Sequence, residues 1–448
     1  MLEINEKKDL ILIGTENHVI MINCNLKNRD FSLAKNIIET NDSINQIKLM
    51  HKPNSTKEIL IVVDNSGEIV AITIDLIKEK KSKLEKYEVV KIQKYNSKIV
   101  YQDNSPWSVD CQYPYIIIGS NNRTVFVFNY EEKENEVENN DNLIKNCNIY
   151  KGNSNNIPYV TISENGNFIG NNSIDNKFKI FDFYTGEIIL SSLNPNSEWG
   201  WGVKFIPKKL FKIKNEFESF EFRKIENLSN TALLKCHMEN SNLNNPSEYD
   251  KNLNNATPYE QLNDYEKYIK LNLIDQYYIL STCNHSAGLF ELDFFSNELN
   301  NNKKTLKAIP LGKIELTRNY IRDLYMGHEN LGYGDLLMIS GIKQCSRYEF
   351  VFYSKNMNLF LLGSKAGDLQ VFEMNIYHDK ENKLICVEDE PNVLITFGEK
   401  IAGMKFLDNI ENGRKVIDIF VITLSGMFYY YKILPDINFW KTDEELKN

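Results

Sequence analysis

The sequence predicts an all-β fold, a single seven-bladed β-propeller that spans residues 1–448. A unit of two short apolar strands around a polar turn recurs seven times along the chain. The turns are rich in Asn, Asp and Gly, which tolerate the positive φ angles of tight hairpins. Most copies also follow a short apolar stretch that supplies an inner strand. Three or four strands that recur about every 40–50 residues are typical of propeller blades.

The seven copies differ in sequence but share the order strand, turn, strand. They cover residues 11–22, 59–72, 116–128, 168–182, 278–292, 360–372 and 419–431. The fourth copy continues through residues 175–186, which resemble the WD-repeat pattern D-x-x-I-x-I-W-D-x-x-T-G with Phe181 in place of Trp. No copy has the full Gly-His and Trp-Asp pair, so we expect WD-repeat-like blades of degenerate sequence.

Three segments depart from the repeat. Residues 131–148 begin with a dense acidic run and predict a solvated acidic loop, with a docking site for a basic partner as the alternative. Residues 208–270 are rich in Asn, Glu and Lys and predict a disordered insertion within the fifth blade, with at most one short helix. Residues 296–357 hold more strand-like segments than one blade needs, so an eighth blade or an extra hairpin stays open there.

Ring closure and the role of the insertion can also be predicted. The first hairpin begins near Asp9 and the last ends near Ile433, which leaves few residues for complete blades at the two ends. We expect the N-terminal strand to pair with the C-terminal blade, because a closed ring leaves no exposed sheet edge. We expect that residues 208–270 can be largely removed without unfolding, since the cost of loop closure grows slowly with length.

The chain is acidic, with 61 Asp and Glu against 52 Lys and Arg and a formal net charge of −9. A field of this sign repels phosphate backbones and anionic lipid heads, so we expect no direct binding to nucleic acid or membranes. No run approaches the ~20 apolar residues of a membrane span, and the N-terminus lacks an apolar signal core.

Seven scattered cysteines without a CxxC pair predict free thiols in a reducing compartment, the nucleus and/or the cytoplasm.

No enzyme motif is present in the sequence. The patterns G-x-x-x-x-G-K-[ST], G-x-S-x-G and H-E-x-x-H are all missing. Cys283 and His285 offer two potential zinc ligands in one predicted turn, whereas a closed structural site needs four. We therefore predict no catalytic residues, no cofactor and no metal site.

Three tryptophans are the candidate partner-binding residues: Trp107, Trp199 and Trp201. Trp107 begins a predicted inner strand, and the other two flank the start of another. Packing between blades is the simpler interpretation. The alternative is an exposed hot spot on the propeller face, where Trp side chains are favoured.

Several short segments, in this order along the chain, resemble one fungal family of WD-repeat-like proteins, named for constitutive transcription of ribonucleotide reductase genes. These segments are residues 105–110 (SPWSVD), 116–128, 156–162 (NIPYVTI), 178–186, 199–206 (WGWGVKFI) and 360–372, which contains the turn GSKAG. The resemblance implies a propeller that regulates ribonucleotide reductase expression and the DNA-damage response. It also implies a link to a cullin-type ubiquitin ligase through an adaptor, and it carries over no catalytic residues.

The leading functional hypothesis is a non-enzymatic protein-interaction scaffold, a monomer within a larger complex whose partners include a cullin ubiquitin-ligase adaptor. Any effect on transcription is expected to act through bound proteins. The alternative is a structural propeller subunit of a coat, nuclear-pore or trafficking complex, although such propellers usually continue into an α-solenoid and no helical repeat precedes Asn448. A propeller enzyme needs carboxylates or histidines that converge on the central channel, for which the sequence has no motif.

Overall fold

The structure of the chain is a computed structural model. It describes residues 1–5, 7–25, 30–31, 35–56, 58–74, 88–91, 105–130, 144–211, 213–214, 259–297, 303–315, 347–378, 384–388 and 393–434. Within these ranges, seven sheets follow one another along the chain. The first strands of the sheets contact one another in a closed ring around a central channel. The predicted seven-bladed β-propeller is therefore confirmed.

Blades 1 to 4 run outwards from their inner strands. Blade 1 contains β1 (Leu2–Ile4), β2 (Leu10–Gly14), β3 (His18–Asn25), β4 (Asp30–Phe31) and β5 (Lys35–Glu39). Blade 2 contains β6 (Ile44–His51), β7 (Glu58–Asp64), β8 (Glu68–Thr73) and β9 (Glu88–Lys91). Blade 3 contains β10 (Pro106–Gln112), β11 (Tyr115–Ser120), β12 (Val125–Tyr130) and β13 (Ile144–Tyr150). Blade 4 contains β14 (Tyr159–Ile162), β15 (Phe168–Ser173), β16 (Lys177–Asp182) and β17 (Ile188–Leu193).

Blades 5 to 7 carry the extensions of the ring. Blade 5 contains β18 (Gly200–Pro207), β20 (Tyr277–Cys283), β21 (Ser286–Asn297) and β22 (Lys303–Glu315). Blade 6 contains β23 (Tyr348–Ser354), β24 (Leu359–Ser364), β25 (Asp368–His378), β26 (Leu384–Glu388) and β27 (Val393–Thr396), and β19 (Ile213–Lys214) pairs with β25. Blade 7 contains β28 (Ile401–Glu411), β29 (Arg414–Thr423) and β30 (Phe428–Ile433). The helix α1 (Asp264–Ile269) continues into a π-helical turn (Lys270–Ile274), and short 3-10 turns cover Pro195–Ser197, Lys208–Leu210 and Tyr259–Gln261.

The hydrophobic core is divided into seven layers, one in each interface between neighbouring blades. The second strands of the blades are almost wholly buried, as in β7, β11 and β24. A strand packed on both faces reads as a continuous apolar run, which is why these strands stand out in the sequence. Because each layer needs side chains from two blades, a single blade cannot bury its own apolar faces.

The ring closes between blades 1 and 7, but the expected strand pairing across this seam is wrong. Strand β1 pairs with β2, so blade 1 supplies its own inner strand. In the described residues, blade 7 ends with β30, which pairs only with β29. The seam is a packed interface in which Leu2 and Ile4 meet Phe420 and Ile422. Three residues suffice for a short inner strand, and blade 1 is therefore complete without a strand from blade 7.

Ion pairs reinforce this seam. Lys8 Nζ lies 2.5 Å from Oδ2 of Asp418, whose side chain is fully buried. Lys405 Nζ lies 2.6 Å from a carboxylate oxygen of Glu3. The two backbones approach so closely that a Cβ on Gly403 would lie 2.7 Å from a backbone nitrogen of β1. Glycine is therefore required where the first and last blades meet.

The segments between the repeats differ in part from their predictions. Residues 144–148 of the predicted acidic loop 131–148 belong to β13, and the remainder of that loop lies outside the described residues. In the predicted insertion 208–270, residues 212 and 215–258 lie outside the described residues. Its last part is helical and packed, since Leu262 and Ile269 are buried in the layer between blades 4 and 5. A deletion that spares folding must therefore end before this helix.

The sequence left an eighth blade or an extra hairpin open in residues 296–357. The last strand-like segment of that range forms part of β23, the inner strand of blade 6. Two further segments of this range, residues 321–325 and 336–339, are also strand-like in sequence, and both lie outside the described residues. The sheets that the structure describes are accounted for by seven blades.

A buried asparagine joins blades 4 and 5. Asn172 has no exposed surface, and its Nδ2 donates to the backbone oxygen of Gly202 at 2.8 Å and to Ser281 Oγ at 3.0 Å. A Cβ on Gly200 would overlap with Oδ1 of this amide. The amide thus supplies partners for buried polar groups of blade 5, and only glycine leaves it room.

Replacing Lys8 by methionine tests the seam. We expect the free energy of unfolding to fall by about 3 kcal/mol, because removal of one partner leaves the buried carboxylate of Asp418 without its nearest cation. The matched control is Lys7→Met at the exposed neighbouring position, for which we expect a change within about 0.5 kcal/mol. Chemical denaturation measures both, and equal losses would show that the ion pair contributes nothing specific.

Replacing Asn172 by alanine tests the junction of blades 4 and 5. We expect a loss of about 2 kcal/mol in unfolding free energy, because buried acceptors in blade 5 lose their donor. Asn155→Ala, at an exposed position in the loop that leads into blade 4, serves as the control and should change stability little. Thermal melts of both variants decide the point, and an unchanged melting temperature for Asn172→Ala would contradict the assignment.

Candidate protein-interaction site at the mouth of the central channel

Five inner strands carry a β-bulge near their first residue. In each, the pairing register with the second strand skips one residue. A bulge leaves the extra residue unpaired and redirects its side chain. Because the inner strands all start at the same end of the ring, these residues surround one mouth of the channel. We call them the mouth ring: Asn45, Trp107, Trp201, Glu349 and Ala402.

The mouth ring brings Trp107 of blade 3 and Trp201 of blade 5 together in front of blade 4. Their ring centroids are 6.4 Å apart and the ring planes differ by 10°. Trp201 is buried, and its indole N–H donates to the side chain of Asn284. Trp107 keeps intermediate exposure. The pair thus has one anchored indole and one that still reaches solvent, which suits an aromatic anchor for a partner.

Charged side chains surround the tryptophan pair. The guanidinium carbon of Arg347 lies 4.8 Å from the ring centroid of Trp201, within the range of a cation–π interaction. Glu349 forms ion pairs with two neighbouring cations, and its carboxylate oxygens lie 3.5 Å from Arg347 Nε and 3.1 Å from Lys365 Nζ. Two cations share one carboxylate here, so these three side chains leave an excess of positive charge beside the aromatic pair.

Asn45 positions the strand that carries Trp107. Its Nδ2 donates to Ser105 Oγ at 3.0 Å and to the backbone oxygen of Pro106 at 2.6 Å. Blade 2 therefore holds the first residues of β10 in place. The neighbouring Gln46 acts in the same direction, because its Oε1 accepts the backbone N–H of Val109 at 2.6 Å. Blade 2 therefore holds the backbone on either side of Trp107 in the chain, and the bulge has a fixed position.

A charged layer lies three residues further along the inner strands. It contains Lys48, Asp110, Lys204 and Lys405. Lys48 Nζ lies 3.4 Å from Asp110 Oδ1, and the hydroxyl of Thr161 donates to Asp110 Oδ2 at 3.1 Å. Burial disfavours the charged form of Asp110, but the ammonium groups of Lys48 and Lys204 outweigh it and hold its pKa below the usual value. Burial also opposes the charge of Lys48, yet the nearby carboxylates raise its pKa.

The three tryptophans that the sequence offered as partner-binding candidates occupy different environments. Trp107 and Trp201 meet in the channel mouth, whereas Trp199 is 41% exposed just before β18 and takes no part in their stack. The sequence did not point to Arg347 or Glu349, because a bulge cannot be read from an apolar pattern. The available signal was a glutamate inside the apolar strand β23.

The turn with two potential zinc ligands has a structural role. Cys283 is fully buried, and burial raises the pKa of its thiol well above the usual value, so the thiolate that binds metal is disfavoured. The backbone N–H of His285 donates to Glu198 at 3.0 Å. Within the described part of the chain, no group of three or more His, Cys, Asp or Glu side chains is placed to hold a metal. The described residues also contain no helix long and apolar enough to span a membrane.

Comparisons with known proteins show the fold and no family. No family model matches the chain, and no curated protein matches it. Among solved structures it is similar to the β-propeller domain of Cps50 (Swd1) from Myceliophteria thermophila, with a TM-score of 0.50 and 8% identity over 95% of this chain and 92% of that one. It is also similar to a chain in the crystal structure of a mitotic checkpoint complex, with a TM-score of 0.51 and 8% identity over 97% of this chain and 90% of that one. The chain thus has the fold of WD-type β-propellers.

Proposed function

We propose that the chain is a non-enzymatic protein-interaction scaffold whose channel mouth receives a segment of a partner protein. The observation that carries this proposal is the mouth ring, which places Trp107, Trp201 and Glu349 around one opening on a closed frame. Aromatic side chains and arginine are favoured at the centres of interfaces, and Arg347 lies over the anchored indole. A rigid frame also lowers the entropy that binding would cost.

The titratable groups inside the channel favour a structural role over acid–base chemistry. Asp110 and Lys48 lie in contact, the pKa of the acid is lowered and that of the base is raised. Efficient proton transfer near neutral pH needs the opposite arrangement, with both pKa values close to the working pH. Lys405 and Glu3 form a second close pair in the channel. These charges hold neighbouring blades together.

We further propose that this scaffold regulates ribonucleotide reductase gene transcription and the DNA-damage response together with a cullin-type ubiquitin ligase. The support is the set of segments that resemble the fungal family, two of which contain Trp107 and Trp201. Both propeller neighbours are fold relatives only, and one of them is a chain of a mitotic checkpoint complex. The function of the mouth ring does not depend on this more specific role.

Affinity purification with mass spectrometry tests the scaffold function. We expect Trp107→Ala to reduce recovery of the main partners at least tenfold, because truncation of a central aromatic anchor typically removes about 2 kcal/mol or more of binding free energy. Trp199→Ala is the matched control, since it removes the same side chain from an exposed position outside the stack. Its partners should be those of the unmodified protein.

Two outcomes would count against these proposals. Loss of partners in Trp199→Ala but not in Trp107→Ala would place the interface outside the channel mouth. Recovery of a stable partner set that lacks a cullin and its adaptor, with unchanged ribonucleotide reductase transcripts after deletion of the gene, would remove the regulatory role and leave the scaffold function standing. Thermal melts of both variants separate loss of binding from loss of folding.

A further inference from the structure

A second surface lies away from the channel, where the outer part of blade 4 meets the helical end of the insertion. Ten large apolar side chains are exposed among the described residues, and five of them lie on the turn between β16 and β17, on the first residue of β17 or on the helical end of the insertion. They are Tyr184, Ile188, Tyr259, Tyr265 and Leu271. Five exposed apolar side chains on two elements in contact exceed the single, scattered apolar residues that are normal on a surface.

The turn between β16 and β17 presents part of this surface rigidly. Asp182 Oδ1 accepts the backbone N–H groups of Tyr184 and Thr185, each at 2.9 Å. Gly186 has a φ of 71°, and a Cβ there would lie 2.7 Å from the ring of Tyr150. The turn is thus fixed by hydrogen bonds on one side and by packing on the other. Tyr184 is 69% exposed on this fixed turn, which lowers the conformational cost of binding.

The helix α1 joins the turn through its tyrosines. The hydroxyl of Tyr265 donates to Asp182 Oδ2 at 3.3 Å, and its ring stacks on Tyr268 at 6.2 Å between centroids. The ring of Tyr268 in turn packs against Phe168 of blade 4, with 6.0 Å between the ring centroids. Tyr265 remains 40% exposed beside the turn. The two tyrosines on the surface therefore belong to one continuous, well-supported patch.

Carboxylates set the electrostatics of this patch. Burial first, and then the carboxylates of Asp182 and Glu187, raise the pKa of Tyr265 to about 12. Glu187 is exposed on the same turn. Among the described residues, no cation pairs with Glu187 or lies over the rings of Tyr184 and Tyr265. The nearby Tyr259 differs, because the ammonium of Lys267 lies 5.7 Å from its ring centroid.

We propose that Tyr184, Tyr265, Glu187 and Ile188 form a docking site for an arginine- or lysine-rich segment of a partner protein. Exposed tyrosine rings attract cations through their negative faces, and a neighbouring carboxylate strengthens that attraction. The long methylene stems of lysine and arginine would cover the apolar surface of Ile188. This site is separate from the channel mouth. It would bind a basic segment, whereas the channel mouth itself has an excess of positive charge.

Binding of fluorescein-labelled hexa-arginine to the full chain, followed by anisotropy at about 0.15 M salt, tests the proposal. We expect Tyr184→Ala and Glu187→Gln each to weaken binding about fivefold, the scale of one exposed cation–π or ionic contact. Both side chains are exposed, so the variants should melt like the unmodified protein. Tyr184→Phe keeps the ring and should retain most of the affinity.

The controls separate a site from general attraction of a polycation to an acidic protein. Glu16→Gln changes the net charge equally at an exposed position of blade 1, and Leu424→Ala removes an exposed apolar side chain of blade 7, outside this surface. Both should leave binding within about twofold, which is ordinary for surface changes. Equal weakening by Glu16→Gln and Glu187→Gln, or no binding of the peptide at all, would overturn the proposal. Retained partner recovery through Trp107 would in either case leave the scaffold function unaffected.

Discussion

The contact between the first and last blades is the constraint on which the rest of the structure depends. Each apolar layer lies between two blades, so a ring with one open interface would expose two sheet faces to water. The seam is closed by the packing of Leu2 and Ile4 against blade 7 and by the ion pair of the partly exposed Lys8 with the buried Asp418. Because every blade is held by its neighbours, closure at this point keeps all seven inner strands in register around the channel.

The register of the inner strands determines which side chains surround the channel mouth. A bulge at the same level of five inner strands turns one residue of each out of the ladder, and closure of the ring brings these residues together. Trp107 and Trp201 stack only because blades 3 and 5 flank a fixed blade 4. The charged pairs deeper in the channel also join neighbouring blades, so the same groups that stabilise the ring determine its electrostatic interior.

The insertion in blade 5 extends the fold beyond a plain ring. Its start adds a parallel strand to β25 of blade 6, and its end forms the helix that packs against blade 4. The described parts of the insertion therefore contact blades 4 and 6 as well as blade 5. The tyrosine-rich surface arises from this arrangement, since Tyr184 belongs to blade 4 and Tyr265 to the insertion. Cations lie beside the tryptophans at the channel mouth, whereas carboxylates lie beside the tyrosines, so the two surfaces differ in local charge.

The sequence by itself determined the propeller fold and the positions of seven hairpins, because strands buried on both faces leave apolar runs and tight turns require Asn, Asp or Gly. It left an eighth blade open in residues 296–357, and the seven described sheets come from the tertiary structure. It also identified Trp107 and Trp201 as aromatic residues at the starts of inner strands. Only the tertiary structure decided how the ring closes, which of the tryptophans meet, and that Arg347 and Glu349 join them. These features depend on register and on contacts between residues far apart in the chain. A local pattern cannot record them, because one extra residue in a bulge redirects a side chain without changing the apolar periodicity.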